Sequence, residues 1–274
     1  MTTAQRELPL QQLRCPLGPQ IRRMVLEQSK RANVGHIGSA LSVADLVGAV
    51  FSVIGRCNPS SPDRDRFILS KGHAALALYA ALVLVGTLTE EDLTTFCEDG
   101  SLLGVHPSHS LVGVDFSTGS LGQGLPMAVG ASLAAKMQRS ERRVVAILSD
   151  AECNEGSVWE AAMFASQHRL ANLTVLIDHN HQQAFGRTED VLASAGLADR
   201  WSAFGWDVIE ADGHNEPEIV DLLQAPPDCS PRVVVAETVF GKGVSYMEHQ
   251  VKWHYLPMSE DQYRIALAEI GSPN

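Results

Sequence analysis

Residues 144–186, VVAILSDAECNEGSVWEAAMFASQHRLANLTVLIDHNHQQAFG, constrain the fold more than any other part of the chain. Val144 to Leu148 is a short apolar run rich in β-branched residues, the pattern of a parallel strand buried on both faces, and it stops at Ser149-Asp150-Ala151. Trp159, Ala162, Met163 and Ala165 follow at helical spacing, and a second apolar run from Leu173 to Ile177 ends at Asp178-His179-Asn180. The pattern predicts a strand-helix-strand unit with oxygen ligands at both strand ends.

In an open parallel sheet, small ligands bind outside the carboxyl ends of the strands. Asp150 and Asn180 are therefore expected to meet at that edge. A carboxylate, an amide oxygen and a backbone carbonyl just beyond Asn180 make a hard-oxygen set of the kind Mg²⁺ or Ca²⁺ accepts, and Mg²⁺ is usually held by few protein ligands plus phosphate oxygens and water. The implied ligand is a metal-bound diphosphate. Asp150 as a helix cap and Asn180 as a turn residue are ordinary roles too, and these residues alone fit either reading.

Other motifs flank this unit. Gly35-His36-Ile37-Gly38-Ser39 predicts a tight loop that brings backbone close to a ligand and holds an imidazole out from it. Arg66 to Ser70 reads as a strand that turns through Lys71-Gly72-His73 into a helix over 74–85, so His73 is placed at a helix start, where anions are favoured. Gly104-Val105-His106-Pro107 opens a loop, and Ser117-Thr118-Gly119-Ser120-Leu121-Gly122-Gln123-Gly124 leads into a helix rich in Gly and Ala, which suits close packing against a second subunit. Further helices are expected at 21–33, 43–54, 89–97, 195–204, after Asn215 and over 259–270, with strands at 206–210 and 232–237 and a loop at 185–189. Residues 1–18, with Pro9 and Pro16, read as a loose segment and 19–274 as one domain.

Composition removes several classes. Apolar residues at 45% and charged residues at 19% exclude disordered and fibrous chains. No uninterrupted apolar run of about 18 residues suggests a membrane span, and the N-terminus has no signal core, so a cytoplasmic protein is expected. Net charge is −11 and no basic cluster exceeds a pair such as Arg22-Arg23, which argues against nucleic acid. Five scattered cysteines without a CxxC pair read as reduced thiols, neither a disulfide framework nor a zinc site.

The segment from Asp150 to Asn180 resembles the thiamine diphosphate fingerprint, in which Gly-Asp-Gly is followed at a distance by Asn; Ser149 and Ala151 stand where that family has glycine. Together with GHIGS, RDRFILSKGH, STGSLGQG and the Trp253-His254 end of VSYMEHQVKWH, the chain from about Arg22 to about His254 resembles the N-terminal half of transketolase, and more closely the N-terminal subunit of two-chain transketolases. The resemblance implies an α/β thiamine diphosphate-binding fold, a mostly parallel sheet flanked by helices on both faces. It implies proton transfer and hydrogen bonding by His36, His73, His106 and His254. Cofactor contacts would come from His73, Gly119, Leu121, Ser149, Asp150, Ala151, Asn180 and His254, and Mg²⁺ or Ca²⁺ would be held by Asp150, Asn180 and the Gln182 carbonyl. Glu155 would join a carboxylate network with a glutamate of a separate C-terminal subunit that carries the pyrimidine-binding domain, in an α2β2 assembly. The activity implied is transfer of a two-carbon ketol unit from a ketose or ketose phosphate to an aldose or aldose phosphate. Side chains at Ser149 and Ala151 also admit a cofactor-poor structural or regulatory subunit, since each adds roughly a methyl group's volume beside the diphosphate. The α-type subunit of a 2-oxo acid dehydrogenase shares only the metal fingerprint.

Overall fold

The computed structural model describes residues 16–54, 61–192, 196–225 and 228–271. Its strands are β1 (Arg66–Leu69), β2 (Val144–Ser149), β3 (Leu173–His179), β4 (Gln182–Gln183), β5 (Gly186–Arg187), β6 (Asp207–Asp212) and β7 (Arg232–Glu237). Five of them form one parallel sheet in the order β1-β2-β3-β7-β6, while β4 and β5 pair as a small antiparallel hairpin. The helices are α1 (Gly18–Ala32), α2 (Ile37–Ser42), α3 (Ala44–Ile54), α4 (Ala75–Leu84), α5 (Glu90–Leu93), α6 (Gly124–Met137), α7 (Gly156–Gln167), α8 (Thr188–Val191), α9 (Leu197–Ala203), α10 (Glu216–Gln224) and α11 (Glu260–Ile270).

Successive side chains of a strand point to opposite faces, and β2 shows the consequence. Val145 and Ile147 enter a core shared with Ile21 of α1, Leu46 of α3 and Leu78 of α4, whereas Val144, Ala146 and Leu148 enter a second core with Leu125 of α6 and Val158 of α7. Helices thus cover both faces, and both central strands read as continuous apolar runs because neither face meets water. Each Val, Ile or Leu so buried contributes about 1.5–3 kcal/mol relative to exposure.

The cap chemistry holds where it was expected. Thr89 and Ser259 close capping boxes on α5 and α11, and Asn215 accepts from the Glu218 N–H at the start of α10. Some bounds differ. α5 stops at Leu93, short of the expected Cys97, which lies at φ 59 and so breaks the helix. The predicted loop at 35–39 is shorter, because α2 begins at Ile37. Gly38 lies inside that helix, where a Cβ would fall 2.2 Å from the Phe240 ring. Residues 185–189 complete the β4-β5 hairpin and open α8 instead of forming a plain loop. Most of the 1–18 segment, Cys15, Cys57 and Ala195 lie outside the described residues. No described helix is long and apolar enough to cross a membrane.

The sheet's register brings the chemistry-bearing strand ends to one edge. Ser149 lies beside Asp178, and His179 beside Glu237. Ser70 and Lys71 follow the neighbouring end of β1.

Candidate functional site

Asp150 leaves β2 fully buried, and three hydrogen bonds fix its carboxylate. Oδ1 accepts from the Ala151 N–H at 2.8 Å, and Oδ2 accepts from the His181 N–H at 3.0 Å and the Thr188 hydroxyl at 2.8 Å. The carboxylate of the β2 end is therefore tied to the turn that carries Asn180. Asn180 is buried as well, its Oδ1 accepting from the Gln182 N–H at 3.0 Å, and Gln182 is buried at the start of β4. Burial pushes the Asp150 carboxyl up, offset in part by the Thr188 hydroxyl and reinforced by Asp178. A divalent cation at this carboxylate would relieve that cost, so the donor set fits the metal-bound diphosphate.

Ser149 and Ala151 bear on whether the turn is too crowded. The Ser149 hydroxyl folds back onto its own turn and accepts from the Glu152 N–H at 3.1 Å, and Ala151 opens a short 3₁₀ turn, residues 151–154.

Beneath this edge lies a buried ionic cluster. Asp178 is fully buried and pairs with Lys71, itself 1% exposed. The same carboxylate accepts from Ser42 and Thr238 hydroxyls, each at 2.5 Å, and from Asn180 Nδ2 at 2.9 Å. Burial alone would raise the Asp178 carboxyl, but Lys71 and these hydroxyls hold it below the usual carboxylate range. Asn180 is thereby clamped through its amide nitrogen, which leaves its oxygen turned toward Gln182.

Three of the sequence-predicted histidines converge. Ring centroids of His36, His73 and His254 lie 5.2–5.5 Å apart. Gly35 permits this, since a Cβ there would fall 2.4 Å from the Tyr255 carbonyl oxygen, and the His36 N–H donates to the His254 carbonyl at 3.1 Å. His73 Nε2 lies 3.2 Å from the Ser39 hydroxyl. His106 is exposed and packs over Gly119, where a Cβ would come within 3.3 Å of its ring. Nδ1 of His36 and Nδ1 of His254 are buried without a hydrogen-bond partner. Buried polar atoms are rarely left so, and here they suit a ligand's polar groups.

The loop bearing Gly119 and Leu121 is pinned by a residue that sequence reasoning missed. Glu152 is fully buried, and its Oε1 accepts from the Ser70 hydroxyl at 2.5 Å and from the Gly122 N–H at 2.7 Å. It joins the ends of β1 and β2 to the 117–124 loop, and burial pushes its carboxyl up to about 6. Glu155, in contrast, is exposed at the start of α7, free to meet a group from outside this chain. Leu121 is half-buried.

Burial lowers the His36 imidazole, with His106 adding to the effect. It takes His73 well below its ordinary value, with Lys71 and the other histidines contributing, and brings His254 to about 4, with His36 and Lys71 contributing. All three are neutral at pH 7 and able to accept or donate a proton. As pH falls below about 6.5, unfolded imidazoles take up protons that the folded ones refuse. Stability is therefore complete above that pH and is lost on descending toward 4. Urea unfolding should show the chain less stable at pH 5 than at pH 7.5, by on the order of 1–2 kcal/mol from His254. His254→Gln should reduce that difference, and equal midpoints for the parent chain at the two pH values would contradict the assignment.

Residues 17–273 match the family described as transketolase, thiamine diphosphate binding domain. One of the two component chains of the apulose-4-phosphate transketolase of Phocaeicola vulgatus is 39% identical over 255 residues, covering 91% of each chain. The 6-deoxy-6-sulfo-D-fructose transketolase subunit SqwG of a Clostridium species is 39% identical over 259 residues, 91% of this chain and 93% of its own. Among solved structures, the transketolase of Campylobacter jejuni superposes with a TM-score of 0.86 at 29% identity, over 93% of this chain but only 42% of its own length.

Proposed function

The chain belongs to the transketolase family of thiamine diphosphate-binding domains, and from that premise we propose that it is the diphosphate- and Mg²⁺-binding subunit of a two-component transketolase. Residues 19–274 are the working domain in this reading, with 1–18 as a loose lead segment. The observation that carries it is the pair of buried, partnerless imidazole nitrogens on His36 and His254, beside His73 and near the Asp150 edge. The two alternatives are not favoured. The relatives that match along nearly their whole length bear the names of transketolase subunits rather than dehydrogenase subunits, and the Ser149 hydroxyl is engaged within its own turn.

Thiamine diphosphate, when bound, supplies the carbon nucleophile and the electron sink for breaking and remaking a ketose carbon–carbon bond. This chain's residues do the rest. Asp150, Asn180 and the Gln182 carbonyl would hold Mg²⁺, or Ca²⁺ in its place, and with it the diphosphate, while Ser149 and Ala151 shape the turn around it. Gly119 and Leu121 would face the cofactor ring, on a loop that Glu152 fixes to the sheet. Neutral His36, His73, His254 and the exposed His106 would bind substrate hydroxyls and move protons on and off them. Glu155, at the surface, would meet a carboxyl of the partner subunit, which contributes the pyrimidine-binding domain; an α2β2 assembly places the site between chains. The names of the relatives support a ketose bearing a phosphate or sulfonate. With a net charge of −11 on this chain, the positive field for such a substrate would come from the partner. A cytoplasmic location accords with reduced thiols and the lack of a spanning helix among the described residues.

Mixing the purified chain with its partner subunit, cofactor, Mg²⁺, a panel of ketose phosphates and an aldose acceptor is expected to give ketol transfer. Neither chain by itself should give any. Steady turnover by this chain without the partner would overturn the proposal, as would a mixture that fails to bind thiamine diphosphate.

A further inference from the structure

We propose that His179, His181 and Glu237 form a binding site for a borderline transition-metal cation of the Zn²⁺ class, separate from the diphosphate site. His179 ends β3, His181 is two residues on, and Glu237 ends β7 directly beside His179 in the sheet register. His179 Nδ1 lies 3.1 Å from Glu237 Oε2, and His181 Nε2 lies 2.5 Å from Glu237 Oε1, with the imidazole centroids 4.1 Å apart. One ligand atom from each residue falls within 4.8 Å of the other two. A Zn²⁺ ion bonds imidazole nitrogen and carboxylate oxygen at about 2.0–2.2 Å, so its ligand atoms sit roughly 3–4 Å apart. Small side-chain adjustments close the gap between the observed spread and that geometry.

The ligand chemistry separates this cluster from the neighbouring oxygen set. Two imidazoles and one carboxylate select Zn²⁺, Co²⁺ or Ni²⁺ over Mg²⁺, which prefers oxygen ligands. Three protein ligands leave a further coordination position for water or an exogenous group. His181 Nε2 and the Glu237 carboxylate are open to solvent, the side chains being 43% and 61% exposed, so an ion has a path in. The backbone supports the same view. His181 lies at φ 60, the left-handed region that a non-glycine residue adopts rarely, and its side chain is aimed at Glu237 by that turn. Because the His181 N–H also donates to Asp150, an ion here would brace the turn that carries Asn180 and Gln182.

Co²⁺ gives the direct test, since its visible d–d bands report ligand type and geometry. The full-length chain, stripped with a chelator and titrated with Co²⁺ in excess Mg²⁺, is expected to bind one ion per chain with bands of an imidazole-carboxylate site. Zn²⁺ should displace it. His181→Gln and Glu237→Gln, both at exposed side chains, should each weaken Co²⁺ binding at least tenfold with circular dichroism unchanged, while Asp150→Asn should leave the bands in place. No Co²⁺ uptake, bands that survive both substitutions, or bands lost only in Asp150→Asn would overturn the site and leave a simple pair of imidazole-carboxylate hydrogen bonds.

Discussion

Lys71→Met is expected to destabilise the folded chain by about 3–5 kcal/mol, the cost of stranding one partner of a buried ion pair. For a chain of this size that corresponds to a fall in Tm of roughly 6–15 °C. The magnitude follows from what remains. Asp178 is fully buried, and without the ammonium its charge would rest on Ser42, Thr238 and Asn180 alone. Those hydrogen bonds are strong but neutral, so the carboxyl would be driven to take up a proton and its pKa would rise above the unfolded value. The loss should therefore shrink as pH falls through the raised pKa, the reverse of the acid sensitivity expected of the histidine cluster. Lys71→Met combined with Asp178→Asn should recover part of the stability, since the stranded charge is gone. A Lys71→Met chain that melts within 2 °C of the parent would show that Asp178 is compensated some other way.

That pair also marks where the sequence stopped being informative. Both β2 and β3 declare themselves through β-branched runs, and the helix caps at Thr89, Asn215 and Ser259 are legible because a side-chain oxygen and its backbone donor are three residues apart. Asp150 and Asn180 are equally visible, since each closely follows an apolar run. Lys71 and Asp178 stand 107 residues apart and meet only because β1, β2 and β3 pair in a particular register. Ser42 and Thr238 join them from α2 and from the end of β7, and no local pattern announces either. Glu152 and Glu155 illustrate the same boundary at short range. Both follow the same strand, but a 3₁₀ turn at 151–154 sends the first under the Gly122 loop and leaves the second at the surface. The histidines fall between these cases. Their motifs are conspicuous one by one, whereas their convergence depends on the backbone contact between Gly35 and Tyr255 that glycine alone allows.

Asp150→Asn is expected to separate binding from folding. If Asp150 holds the metal-bound diphosphate, replacing its charge removes a carboxylate–Mg²⁺ interaction worth several kcal/mol, so thiamine diphosphate affinity in the assembled two-chain enzyme should fall by about a hundredfold or more, with turnover down by about a thousandfold. The effect on stability should be far smaller. The carboxylate is buried and its pKa is already raised by that burial, so neutralising it removes a desolvation cost. An asparagine oxygen can keep the bonds from the His181 N–H and the Thr188 hydroxyl, and only the Ala151 N–H would lose its acceptor. A net change within about 1 kcal/mol is expected in urea unfolding of the free chain. A carboxylate serving only as a helix cap would behave the other way, with stability lost and cofactor affinity retained. Calorimetric titration of thiamine diphosphate in excess Mg²⁺ distinguishes the two, and affinity within threefold of the parent would remove Asp150 from the metal site.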